Sequence, residues 1–202
     1  MNRTIYRRIF AVSAALFAVS LIAGCAGTFF SEAPSVIQAI IGSVAAIAAA
    51  LSFVPGLGTE AAAISAILTA ADNEASEIEM LIQQYQTTPN ETTLQKIEAA
   101  IQLAISNMTK LLSPLNIPPA LATKIGNIAQ VMLDQFEAWA ALIASIKVPA
   151  SGKLEVTDHA KAAAAMSKLL TAKQYKTRVN DILDTPTGDA TVDAAFARSP
   201  RL

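Results

Sequence analysis

The sequence predicts an all-α protein: an up-and-down bundle of four to five helices, after an N-terminal signal helix and before a mobile C-terminal tail. Three observations lead there. The chain of 202 residues is 53% hydrophobic but only 5% aromatic, so its apolar content is chiefly Ala, Ile and Leu rather than strand-forming residues. Apolar residues recur at spacings of three and four through most of the chain, and no stretch alternates convincingly with period two. Pro, Gly, Asn and Ser cut this pattern into helix-length segments joined by loops of about two to eight residues, as a bundle requires. The length points to a single domain.

The first element is a leader over residues 1–24. Arg3, Arg7 and Arg8 form its basic start, and Ile9 to Ile22 is an apolar run interrupted only by Ser13 and Ser20. As a helix that run covers about 21 Å, short of the ~30 Å hydrocarbon core, which disfavours a permanent span. Ala23 and Gly24 follow, and then Cys25, the single cysteine of the chain. One cysteine can form neither an intrachain disulfide nor a cysteine-based metal site.

The run Leu21-Ile22-Ala23-Gly24-Cys25 resembles the lipobox of bacterial lipoprotein precursors. Ile22 stands where Leu is more usual, three residues before the cysteine, and Ala23 and Gly24 supply the small residues. The resemblance implies cleavage between Gly24 and Cys25, a diacylglyceryl thioether on Cys25, and often acylation of the new amino group. It thereby implies export and a membrane partner engaged through lipid such as palmitate. Ala26 in place of Asp points to the periplasmic face of the outer membrane in a Gram-negative host; in a Gram-positive host the anchor lies in the plasma membrane. The resemblance covers five residues and implies nothing about the rest.

Residues 25–34 are expected to form the lipidated cysteine and a short linker, with Ser35 capping the body over 35–183. Val36 to Phe53 is almost wholly apolar, and Gly42, Ala46 and Ala50 make a ridge of small residues on one face. Val54-Pro55-Gly56-Leu57-Gly58 turns the chain, and Thr59 opens a second helix reaching about Gln86, with Ile64, Leu68, Ala71, Ala75, Ile78 and Ile82 on one face. Thr88-Pro89-Asn90-Glu91 reads as a capping box for a third helix, which Pro114 ends. Pro118-Pro119 opens a fourth, striped by Leu121, Ile125, Ile128, Met132, Phe136 and Trp139, with Lys124, Asn127, Gln130, Asp134 and Glu137 opposite. Thr157 or Asp158 begins a fifth stretch, in one piece or two, ending near Leu183; Lys153–Val156 is the one weak strand candidate. Residues 184–202 gather Pro, Thr, Gly and Asp without period and read as a flexible tail, with at most a helical turn at Val192–Phe196.

The chemistry-bearing residues do not assemble into a catalytic set. His159 is the only histidine and sits beside Asp158 at a helix start, so a His-rich zinc site is impossible and an exposed residue is expected. Asp72, Glu74, Glu77 and Glu79 are spread around a helix without calcium-loop or Glu-x-x-His spacing, and read as a solvated face. Pro55-Gly56-Leu57-Gly58 lacks the Gly-Lys-Ser/Thr of a phosphate loop. The expectation is a protein that is not an enzyme, with no metal or cofactor. From Ala26 to Ile146 ten acids face three lysines, whereas nine basic residues face six acids from Lys147 onward. No basic stripe with interleaved aromatics marks a nucleic-acid surface.

The leading functional expectation is a lipid-anchored cell-envelope protein with a non-enzymatic structural or binding domain, its protein partner or self-assembly left open. One alternative is a membrane-active or pore-forming protein. Val36–Ala71, two apolar limbs around a Pro/Gly turn, looks like the hydrophobic hairpins of pore-forming toxins. Its first limb spans about 27 Å, but its second only about 20 Å before Asp72. The other alternative is a carrier of an apolar ligand, in a cavity lined by Met108, Met132, Phe136 and Trp139.

Overall fold

The computed structural model describes residues 29–112, 116–149 and 154–202. The leader, the Gly24–Cys25 cleavage position and the lipobox lie outside these residues. The protein is all-α, with seven helices and one minimal strand pair among the described residues.

Four long helices build the body. Helix α1 is helical from the first described residue and runs over Phe29–Phe53. Gly56 and Gly58 both adopt positive φ, 80° and 48°, which L side chains resist, so the turn after Pro55 needs these glycines. Helix α2 (Gly58–Thr87) has no side-chain cap at its start; Thr59 lies inside it. Asn90 caps α3 (Glu91–Leu111) by accepting from the Thr93 backbone N–H at 2.8 Å. The expected box starting at Thr88 does not form, because Thr88 closes α2 with its own N–H bonded to the Gln84 carbonyl. Helix α4 (Pro119–Ile143) starts with Pro119 in its first turn, where a missing N–H costs nothing.

Smaller elements complete the chain. β1 (Ile146–Lys147) pairs antiparallel with β2 (Glu155–Val156), Ile146 opposite Val156. The fifth stretch divides into α5 (His159–Met166), capped by Asp158, and α6 (Ala172–Asp184), which carries a full Thr171–Gln174 capping box. Helix α7 (Ala190–Ala197) is capped by Asp189, which accepts from Thr191 and Val192.

Helices α2, α3 and α4 pack in chain order, and α5 and α6 pack on α4. Helix α1 packs against α2, α4 and α6. Phe30 meets Tyr85 and Gln38 meets Glu79, so α1 and α2 run antiparallel. Phe29 reaches Trp139 of α4, Ser43 reaches Tyr175 of α6, and Gly42 faces Leu202. Ile37, Ile40, Ile47, Ala46 and Ala50 are wholly buried. The helix shows solvent a thinner face of Ser31, Glu32, Ser35, Gln38, Ala45, Ala48, Ser52 and Phe53.

Further expectations require correction. The described part of the linker, residues 29–34, is helical, and Phe29, Phe30 and Ala33 are core residues; Ser35 is an interior helix position, not a cap. The aromatic pair explains this, since burying two Phe side chains outweighs the weak local preference of a Ser/Glu/Pro segment. Lys124 is buried, although the polar side of α4 was expected to hold it. Residues 184–202 are not a mobile tail. Val192, Ala195 and Phe196 are buried, Arg201 pairs with Asp184 at 2.7 Å, and the Leu202 N–H donates to Asn180 at 3.0 Å. Lys124 binds this segment twice, donating to the Thr185 carbonyl at 2.8 Å and lying 5.0 Å from the Phe196 ring centroid.

An anchored C-terminal segment and a loose one respond differently to mutation. Phe196→Ala is expected to cost about 3 kcal/mol or more in urea unfolding, as for other fully buried Phe residues. A change below about 0.5 kcal/mol, typical of surface sites, would contradict the packing described.

Candidate functional site

The lipobox-like run ends at Cys25, and the described structure begins four residues later. Four trans peptide steps of 3.8 Å bring the Cys25 Cα within ~15 Å of the Phe29 Cα, whatever path the chain takes. Phe29 is fixed by edge-on contacts with Phe30, at 4.8 Å between ring centroids, and with Trp139, at 5.9 Å. Phe30 stacks on Tyr85 at 4.4 Å, and its carbonyl accepts from Gln86. Trp139 in turn meets Phe136 at 5.5 Å. This aromatic cluster ties the N-terminal end of α1 to both α2 and α4. The signal for it was visible as Phe29-Phe30, four and five residues after the cysteine, but without partners in view it read as a joint.

Beside Phe29 lies an apolar groove of about 220 Å³. Phe29 and Val36 of α1, Trp139 of α4, Met166 at the end of α5, and Leu169 and Leu170 of the α5–α6 connection form its walls, with Glu32 and Gln135 among its lining. Gln135 is buried and accepts the Leu170 backbone N–H at 3.0 Å, which holds the connection against α4. Of the four residues expected around an apolar ligand, Trp139 lines this groove; Met108, Met132 and Phe136 are buried in the core. A larger cleft of about 670 Å³ adjoins at Gln135 and Leu170, and sets Asp134 and Glu137 against Lys161, Lys168 and Arg178.

His159 is exposed in the first turn of α5, whose Asp158 cap accepts from the Lys161 N–H at 2.9 Å. Among the described residues, no group of three or more His, Cys, Asp or Glu side chains stands ready to hold a metal ion. The acidic cluster divides. Glu77 is exposed, and Glu79 accepts from Gln38 at 2.6 Å. Glu74, expected on the solvated face, is instead 6% exposed between α2 and α3. One of its oxygens accepts from Asn107, itself bonded by Lys110 at 2.5 Å; the other has no hydrogen-bond partner. Its place was legible: Glu74 follows Ala71 by three and precedes Ile78 by four, which puts it on the apolar stripe. Burial pushes its carboxyl above the ordinary 4.5, partly offset by Asn107 and Lys110. Tyr175 is fully buried against Ser43 at 3.2 Å, and its phenol is likewise pushed up by burial.

No protein-family model matches the chain, and no curated protein or solved structure is significantly similar to it.

The raised Glu74 carboxyl has a signed consequence. Its folded pKa lies above its unfolded one, so its contribution is fully present below about pH 4.5 and is lost as pH rises through the folded value. Glu74→Gln removes a buried charge and is expected to raise Tm at pH 7 by about 2–4 °C, equivalent to about 1 kcal/mol. The gap between variant and parent should close by pH 4 in thermal scans. A lower Tm at pH 7 would show the carboxylate to be net stabilising.

Proposed function

We propose that this is a lipid-anchored cell-envelope protein: an exported chain, cut between Gly24 and Cys25, acylated on Cys25 and carrying a non-enzymatic helical structural or binding body. The observation that carries the reading is the order of features along the first 30 residues. Three arginines, an apolar run too short to stay in a bilayer, two small residues and the lone cysteine come in that sequence. The nearness of Phe29 and Phe30 supports it, because the core begins within one helical turn's worth of residues after the anchor. In this arrangement two or more acyl chains give stable attachment, each buried CH₂ contributing about 0.8 kcal/mol. The body then sits close to the membrane rather than on a long tether. The host decides the compartment: the periplasmic face of the outer membrane, or the outer face of a plasma membrane.

Insertion of the 36–71 hairpin is the second reading, favoured by one feature. Helix α1 is long and apolar enough to cross a membrane by length and composition. Against it, α1 lies among α2, α4 and α6, its Gln38 is bonded to Glu79 of α2, and the second limb runs only to Asp72, whose charge a bilayer would penalise.

Cells expressing the chain and fed radiolabelled palmitate should label the parent and not Cys25→Ala. Label retained by Cys25→Ala would remove the anchor assignment. Dye-loaded liposomes should stay tight when the protein is added, and rapid leakage would shift the balance to hairpin insertion.

A further inference from the structure

We infer that the groove between α1, α4 and the α5–α6 connection shelters one ester-linked acyl chain of the protein's own anchor when that anchor is out of a bilayer. This rests on acylation of Cys25. The groove's walls are Phe29, Val36, Trp139, Met166, Leu169 and Leu170, so an aliphatic chain meets apolar and aromatic carbon along it. Its volume of about 220 Å³ takes part of one chain, not a whole diacylglyceryl group.

The occupant follows from position. Cys25 can lie no more than ~15 Å from Phe29, which is itself a wall of the groove. A chain tied at that distance meets the groove at an effective concentration of the order of millimolar, which no free amphiphile in an aqueous compartment matches. Phe53, an exposed large apolar side chain on the same helix, lies about 36 Å further along α1 and is out of competition. In a bilayer the same chain is buried over its full length, so the membrane outcompetes a groove that covers only part of it. The groove therefore fills when the protein crosses water and empties on insertion of the anchor.

The experiment uses native protein purified from membranes and exchanged out of detergent. Intact mass first establishes cleavage at Cys25 and its acyl groups. Amide hydrogen exchange is then compared before and after a lipase removes the ester-linked chains. The expected result is exchange about tenfold faster after lipase in peptides covering Glu32–Val36 and Met166–Thr171, with α3 unchanged. Leu169→Lys, at a half-buried wall position, should abolish the difference, whereas Phe53→Lys should keep it. Equal exchange before and after lipase overturns the inference and leaves the anchor intact. Protection that survives lipase but falls on dilution assigns the groove to a second copy and also overturns it. An unmodified Cys25 overturns both the inference and the anchor.

Discussion

The structure depends on the burial of α1. A 25-residue helix with this hydropathy cannot stand in water, and the bundle is the arrangement that covers it. Coverage from several sides needs close approach, which the small-residue ridge allows. Ala46 and Ala50 are completely buried, and a Cβ on Gly42 would meet the Leu202 side chain at 3.3 Å. The one polar group in this deep stretch, Ser43, is answered twice: its hydroxyl bonds the Ala39 carbonyl and contacts the Tyr175 hydroxyl. The ordered C-terminus follows from the same need. Without residues 184–202, part of the α1 ridge and the buried side of α6 would face water.

Buried polar groups then fix how the shorter segments attach. Lys124 and Gln135 both project from α4 and both bind backbone: Lys124 donates to the Thr185 carbonyl, and Gln135 accepts from the Leu170 N–H. Each pairs a main-chain group of a connecting loop that is only partly open to water. The exposed Glu91 likewise accepts from the Val148 N–H at 2.8 Å, and the buried Ser145 carbonyl accepts from the Thr157 N–H at the entry to α5 at 2.7 Å. Glu74 differs. It joins two long helices side chain to side chain and leaves one oxygen unsatisfied. Its interface is therefore a place where the core carries an electrostatic cost that Asn107 and Lys110 only partly offset.

Long-range order made some of this illegible in the sequence. The stripes of α2, α3 and α4, the double-proline start, the Pro/Gly turn and the division at Asp158 all rest on local periodicity or turn chemistry, and those could be read directly. Residues 29–34 could not, because Ser31, Glu32 and Pro34 mask a helix whose order comes from Phe29 and Phe30 meeting Trp139 and Tyr85. The last nineteen residues failed for a related reason. An eight-residue helix is not stable alone, and α7 exists because Phe196 finds a pocket near Lys124, seventy-two positions earlier in the chain. Lys124 itself was misplaced because its helical angle and its length disagree: it sits at the stripe's edge, where a long side chain can turn inward to a carbonyl. For the site, the cysteine and its flanks were readable as a motif, while the groove was not. Its walls come from α1, α4 and a loop after α5, and no local pattern links them.

The burial of α1 also separates the two proposed modes of membrane attachment. To insert, α1 would have to leave Tyr85, Trp139 and Tyr175, each at most 4% exposed in the bundle, and turn those aromatic faces to water or lipid. Ser43 would lose its Tyr175 partner inside the bilayer. The proposed acyl chains on Cys25 would avoid all of this. They would place the attachment just outside the core helix and require no residue of the bundle to change partners. A helix apolar enough to span a membrane and a lipid anchor next to it are thus not redundant devices. Under the lipid-anchor proposal the first builds the body, and the second frees it from having to enter the bilayer.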